Sequence, residues 1–127
     1  MASWCQTLCF LLSTVVVVLA TGEIEEVSPT REDVQDAARY AVATYNTISS
    51  NDYDYKLLKV IAAKEQVVAG LKYFLKVEVG ETQCKKGSSN VESCPLTNKT
   101  FNCQFVVFTQ PWRNYNQLLE SNCQASQ

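Results

Sequence analysis

One helical pattern followed only by strand patterns is the feature that most limits how this chain can fold. Apolar residues recur at spacings of three and four between residues 34 and 48, as on one face of an α-helix. Four segments with strand character follow, at about 55–66, 71–83, 101–110 and 115–123. This order predicts an α+β fold with a single helix packed across one face of a curled antiparallel β-sheet. The helical stripe consists of Val34, Ala37, Ala38, Ala41, Tyr45 and Ile48.

The residues around the stripe predict the ends of the helix. Pro29 suits a first helical turn, and Thr30 with Asp33 three residues later resembles a capping box, so we expect the helix to begin between Ser28 and Thr30. Turn-forming residues at 49–52 end it. Because the stripe is rich in alanine, we expect it to lie close against the sheet as core.

The first 20 residues have the pattern of a secretory signal. They contain no charged side chain, and an apolar run over 10–20 ends in a small residue. We therefore predict a signal peptide over residues 1–20 and a single secreted domain over residues 21–127. An uncleaved signal anchor is the alternative, because the terminal amine is the segment's only positive charge. Cys5 and Cys9 would leave with the signal.

Four cysteines remain in the predicted domain, and an even number in a small secreted domain indicates two disulfides. Joining Cys103 to Cys123 would link two strands across a hairpin and leave Cys84 with Cys94. The nested pairing has a plausible centre near Asn98, so spacing leaves both arrangements open. A zinc site is disfavoured, because the chain has no C-x2-C pair and no histidine.

Several function classes are disfavoured by what the chain lacks. Without histidine it has no usual general base and no Ser-His or Cys-His nucleophile pair. The formal net charge is −2 and the longest basic run is Lys85-Lys86, so we expect neither nucleic-acid nor membrane binding. We predict a binding module, not an enzyme, with no cofactor and no metal.

The segment Gln66-Val67-Val68-Ala69-Gly70 is apolar where a turn would be polar. It separates two strand patterns, and Gly70 supplies the permissive backbone of a tight reversal. Exposed apolar residues at a hairpin tip favour insertion into a groove of a partner. The alternative is one continuous strand without a turn.

A second apolar tip is predicted at Pro111-Trp112, between the last two strands. Tryptophan is a common interface anchor, although it could also fold back onto the sheet. Simple up-and-down strand order would bring both tips to one edge of the sheet. We expect residues 21–27 to add a short, acidic, mobile arm there.

With these motifs in order, the chain resembles the secreted type 2 cystatins. The family's Q-x-V-x-G motif stands at residues 66–70, its Pro-Trp motif at 111–112, and the four cysteines follow in the family's order. The helix text over 37–46 and the run over 72–75 also match. The resemblance covers the whole predicted domain, and the Val-Ser-Pro arm before the helix is most similar to the cystatin E/M branch.

The resemblance implies a helix gripped by a curled sheet, with Cys84 paired to Cys94 and Cys103 to Cys123. It also implies reversible, competitive inhibition of papain-like cysteine proteases such as cathepsins, and we expect the inhibitor to be a monomer. Cleavage after Ala20 would leave one residue ahead of the arm glycine, fewer than family members usually carry. The expected protease-binding residues are Gly22, Gln66, Val67, Val68, Ala69, Gly70, Pro111 and Trp112.

The sequence also predicts two further sites and leaves one competing function open. Asn51, in Ser50-Asn51-Asp52, stands where several secreted cystatins bind legumain; the alternative is a helix cap with a left-handed backbone. Asn98-Lys99-Thr100 is a glycosylation sequon in a predicted loop over 84–100. The competing hypothesis is a cystatin-fold binding or signalling protein that does not inhibit proteases.

Overall fold

The computed structural model describes residues 22–87 and 90–126. These residues form one helix and a five-stranded antiparallel sheet whose strands lie in chain order, so the predicted α+β fold is confirmed. Short 3-10 turns at Val91–Ser93 and Pro111–Arg113 precede the last two strands. The elements are β1 (Glu25–Val27), α1 (Glu32–Ile48), β2 (Tyr53–Val68), β3 (Gly70–Lys85), β4 (Leu96–Gln110) and β5 (Tyr115–Ala125).

The hydrophobic core lies between α1 and one face of the sheet. On β3 the residues at odd positions from 73 to 79 are buried, as strand periodicity requires. Alanines on α1 let the helix approach the sheet closely. Tyr45 of α1 stacks on Tyr55 of β2 with ring centroids 5.9 Å apart, and also contacts Phe105 of β4. The buried core includes Val34, Ala37, Ala38, Ala41, Val42, Tyr73, Leu75, Val77, Val79, Phe105 and Val107.

The predicted ends of the helix need two corrections. α1 begins at Glu32, with Arg31 as an N-cap residue that makes no side-chain cap hydrogen bond. The carboxylate of Asp33 does not complete a capping box, because it accepts hydrogen bonds from Arg31 at 2.7 Å and from the Tyr73 hydroxyl at 2.6 Å. At the other end Ile48 is the last helical residue and is 63% exposed, so it does not belong to the core.

The expectation of a mobile arm is wrong for residues 25–27. Backbone pairing with β2 makes them strand β1, with Glu25 opposite Glu65 and Val27 opposite Ala63. Sequence periodicity could not reveal this strand, because it is three residues long and its exposed and buried residues do not alternate. The arm therefore continues the sheet edge instead of moving freely beside it.

Both disulfides follow the pairing that the family resemblance implies. Cys103 and Cys123 stand directly opposite each other in the β4–β5 ladder, with Cα atoms 4.0 Å apart. Cys84 and Cys94 join the end of β3 to the segment that leads into β4. The nested alternative is thereby excluded.

Two predictions concern the N-terminal segment and the absence of a membrane span. The predicted signal peptide lies outside the described residues. Within 22–87 and 90–126, no helix combines the length and the apolar character that a membrane crossing requires.

Candidate functional site

The first tip is a tight hairpin between β2 and β3. Val68 pairs with Gly70 across the turn, so the alternative of one continuous strand is wrong. The Val67 side chain is 58% exposed. Gly70 has φ +140°, a conformation that L side chains rarely adopt, and an added Cβ would lie 2.6 Å from the Thr109 carbonyl oxygen. Glycine is therefore required here both by the turn and by the close approach of β4.

The N-terminal arm is attached to this tip by two hydrogen bonds. The Gly22 amide donates to the Val67 carbonyl over 2.8 Å. The Gln66 side-chain amide donates to the Gly22 carbonyl over 3.0 Å. The motif glutamine thus links the arm to the hairpin, and the tip presents the exposed side chains of Val67 and Ala69.

The second tip is the 3-10 turn that joins β4 to β5. Asn114 closes it in a left-handed conformation, with φ 53° and its amide 3.1 Å from the Pro111 carbonyl. The Arg113 guanidinium lies over the Tyr115 ring, 4.9 Å from its centroid. Trp112 is 69% exposed, so the alternative in which it folds back onto the sheet is wrong.

The two tips lie side by side and are joined by a side chain. The Gln110 amide Nε2 donates to the Ala69 carbonyl over 2.6 Å. We call the surface formed by Gly22, residues 66–70 and residues 110–112 the tip edge. It brings together every protease-binding residue expected from the sequence. Gln110 was missed, because the backbone carbonyl that it contacts cannot be identified from sequence.

A polar cluster behind the tip edge fixes the start of the helix to the sheet. Arg31 pairs with Asp33 at 2.7 Å and with Glu65, the residue before the motif glutamine, at 2.5 Å. The hydrogen bond from Arg31 lowers the pKa of Asp33 to about 2. Burial and the bond to Asp33 raise the pKa of Tyr73 above its ordinary value. Asp33 is therefore charged and Tyr73 neutral at neutral pH, and the cluster positions β2.

Asn51 lies at the opposite end of the sheet, before β2 begins. The segment is constrained because Asn46 bonds both backbone groups of Tyr55 at 2.9 Å and the Lys86 amide donates to the Asp52 carbonyl at 2.9 Å. Asn114 is the one non-glycine residue with positive φ among the described residues, so Asn51 is not a left-handed cap. Its side-chain Nδ2 is buried and meets no acceptor there.

Asn98 is exposed on β4, not in the loop predicted over 84–100, because β4 already begins at Leu96. It lies in an irregular stretch of the β3–β4 ladder between the pairs Thr82–Leu96 and Gly80–Thr100. The described part of the chain contains no group of three or more acidic, cysteine or histidine side chains that could hold a metal ion.

The family is settled by comparison of the sequence with known protein domains. The cystatin domain matches residues 22–112, which include the arm glycine and both tips. The chain belongs to the cystatin family. Cystatins are protease inhibitors, so this cystatin is not an enzyme, and its family membership supports inhibition of cysteine proteases.

Relatives and solved structures agree with this assignment. A cystatin of Gallus gallus is 44% identical over 73% of this chain and 70% of its own. Human cystatin-SN is 36% identical over 99% of this chain and 100% of its own. Dimeric human cystatin F matches the fold with a TM-score of 0.78 and 26% identity, over 89% of this chain and 94% of that one. Mialostatin, a gut cystatin from the tick Ixodes ricinus, matches with a TM-score of 0.70 and 29% identity, over 83% of this chain and all of that one.

Proposed function

We propose that this cystatin is a reversible, competitive inhibitor of papain-like cysteine proteases such as cathepsins. The observation that carries the proposal is the tip edge, where three separate chain segments meet and present Val67 and Trp112 to solvent. Exposed apolar side chains on hydrogen-bonded hairpins are suited to a groove that excludes water.

The physical account is a plug that fills the active-site cleft without being cleaved. Val67 and the backbone of the first tip would occupy the centre of the cleft, and Trp112 would cover its primed side. The tips end in tight turns, so no extended peptide bond reaches the catalytic thiol. Because the strands and the side-chain bonds at the tips already hold this shape, little conformational entropy is lost on binding.

The arm contributes less to this proposal than the tips do. Gly22 is hydrogen-bonded to the first tip, so residues before it would extend along the non-primed side of the cleft. Signal cleavage after Ala20 would leave only Thr21 there. We therefore propose weaker inhibition of proteases with an occluded cleft, and N-terminal sequencing of secreted protein decides whether the short arm exists.

Titration of active papain with the purified domain tests the proposed function. We expect stoichiometric loss of activity, recovery of activity on dilution, and an apparent inhibition constant that rises linearly with substrate concentration. No inhibition at micromolar concentration would favour the competing hypothesis of a binding or signalling protein. An apparent constant independent of substrate would contradict the competitive mechanism.

We also propose Asn51 as the centre of a second, independent site for legumain. Support comes from its place on a constrained segment at the far end of β2, about 50 Å of strand from the first tip at 3.3 Å per residue. The unpaired Nδ2 favours outward rotation of the amide, since this nitrogen has no hydrogen bond to a described residue to lose.

Two variants separate the two inhibitory sites. Asn51→Lys should abolish legumain inhibition and leave papain inhibition unchanged, whereas Val67→Asp should do the reverse. One molecule of the unaltered protein should inhibit both proteases together. Full inhibition of papain without any effect on legumain would exclude the second site.

We also propose that the protein is secreted and carries a glycan at Asn98. Asn98 is exposed and lies in an irregular part of the ladder, where an attached glycan would not displace a paired strand. Expression in a secretory eukaryotic host, followed by glycosidase treatment, should shift the electrophoretic mobility of the protein. An Asn98→Gln variant should show no shift, and an unshifted parent protein would mean that the sequon is unused.

A further inference from the structure

The link between the two tips depends on a side chain that belongs to neither family motif. The backbone ladder between β3 and β4 ends at the pair Leu71 and Thr109. Beyond this pair, Gln110 Nε2 reaches across and donates to the Ala69 carbonyl over 2.6 Å. Gln110 itself pairs with Tyr115 in the other ladder, so its side chain joins one hairpin to the next.

The absence of a side chain at Gly70 makes room for this link. A Cβ built there would lie 2.9 Å from Gln110 Cγ, inside the range that real Cβ contacts avoid. The stem of Gln110 therefore passes over Gly70, and its amide reaches the carbonyl of the preceding residue, Ala69. The position of the Gln110 side chain therefore depends on residue 70 being glycine.

No covalent bond fixes the two tips to each other. Cys103–Cys123 lies seven residues before Gln110 on β4, and Cys84–Cys94 lies at the opposite end of the sheet. The relative position of the tips beyond Leu71 therefore depends on short-range contacts, of which the Gln110 bond is the shortest hydrogen bond described there.

From this geometry we propose that Gln110 is a positioning residue for inhibition, which holds the first tip in register with Trp112. The inference rests on the proposed inhibitory function of the tip edge. A protease cleft must accept both tips at once, so only molecules with the tips aligned are competent to bind. If part of the population is misaligned, the apparent dissociation constant rises in inverse proportion to the competent fraction that remains.

Three variants test the role of the amide. Gln110→Met keeps the length of the side chain but removes the donor, and Gln110→Glu places a carboxylate against the Ala69 carbonyl. Gln104→Met is the matched control, because Gln104 is an exposed residue of the same strand, far from the tips. A neutral hydrogen bond of ordinary net strength predicts that Gln110→Met weakens papain inhibition about three- to tenfold. Gln110→Glu should weaken it more, and Gln104→Met should leave it unchanged.

A double-mutant cycle separates positioning from direct contact with the protease. If Gln110 acts through the first tip, its effect should shrink when Val67→Ala has already removed that tip's anchor. Additive losses of affinity in the Gln110→Met and Val67→Ala cycle would overturn the proposal, because they would indicate an independent contact.

NMR relaxation of the free protein provides a readout that does not involve a protease. We expect lower order parameters at residues 67–70 in Gln110→Met than in Gln104→Met, with both variants folded. Unchanged order at the tip in Gln110→Met would overturn the positioning role, even if inhibition fell. If the parent protein does not inhibit papain, the inhibitory function fails, and the relaxation data still decide whether Gln110 orders the tips.

Discussion

At one end of the sheet the tip edge is held together by hydrogen bonds from glutamine side chains and from the arm amide. At the opposite end a disulfide joins Cys84 to Cys94, and Asn46 and Lys86 fix the segment that enters β2. Val67 and Trp112 of the first end are both more than half exposed and no disulfide lies between the tips, whereas the second end is tied covalently. We therefore propose that affinity for a protease and stability of the fold are determined largely by different ends of the molecule.

Val67→Asp should separate protease affinity from fold stability most clearly. A charge placed at the exposed end of the first tip would be buried without a partner in the cleft, so we expect at least about a 100-fold loss of papain inhibition. Because Val67 is exposed in the free protein, the thermal midpoint should change little. Inhibition assays and thermal unfolding are to be compared on one preparation. A parallel fall in stability and inhibition would mean that the tip is part of the core.

Removal of the Cys84–Cys94 disulfide should lower the stability of the fold without lowering papain affinity. Replacing both Cys84 and Cys94 by serine releases a loop with a sequence separation of 10, and we expect the free energy of unfolding to fall by about 2–3 kcal/mol. Papain affinity should be unchanged below the unfolding transition. Denaturant titration and inhibition assays measure the two quantities. A large loss of affinity in the folded variant would contradict the assignment of affinity and stability to different ends of the molecule.

The second tip should contribute less than the first. We expect Trp112→Ala to weaken papain binding by about 2 kcal/mol, as is typical of an interface tryptophan, with little effect on unfolding. Arg113→Ala is a suitable control at the same turn, since its guanidinium packs on Tyr115. Unchanged affinity in Trp112→Ala would leave the first tip as the main binding element.

The smallest effect concerns the pH dependence of stability. The pKa of Asp33 is lowered from 3.8 to about 2 in the folded protein. Its ionised form therefore stabilises the fold above pH 3.8, and this contribution is lost as the pH falls towards 2. The side chain is 43% exposed, so screening by solvent should keep the effect at or below about 1 kcal/mol.

Denaturant titrations between pH 4 and pH 2 measure this contribution. Asp33→Asn should lose less stability over that range than the parent protein does. Asp36→Asn, at a carboxylate that is 66% exposed and paired with Arg39, is the control for removing a surface charge. Equal pH dependence in the parent and in Asp33→Asn would exclude a role for the Arg31–Asp33 pair.

Periodicity and family motifs predicted the elements that are long or chemically distinctive. The alternation on β3, the alanine-rich face of α1 and the two apolar tips each follow from local sequence. Strand β1 did not, since three acidic and apolar residues pair with β2 only because tertiary contacts bring them there. The helix start was misplaced because Arg31 and Tyr73 engage Asp33, and residue 73 is distant in sequence.

The candidate site shows the same division between local and long-range information. The sequence identified Val67 and Trp112 from unusual chemistry at turns. It could not identify the bond from Gln110 to the Ala69 carbonyl, because the donor and acceptor are 41 residues apart and the acceptor is backbone. Such links become visible only when the register of β3 and β4 is known.

Hydrogen–deuterium exchange of the complex with papain tests the central contrast most directly. Free and papain-bound protein should be compared peptide by peptide. We expect slower exchange on binding at residues 22–24, 66–71 and 110–114, and unchanged exchange at residues 49–54 and 90–98. Protection at the disulfide-linked end, with none at the tips, would contradict the assignment of protease binding to the tip edge.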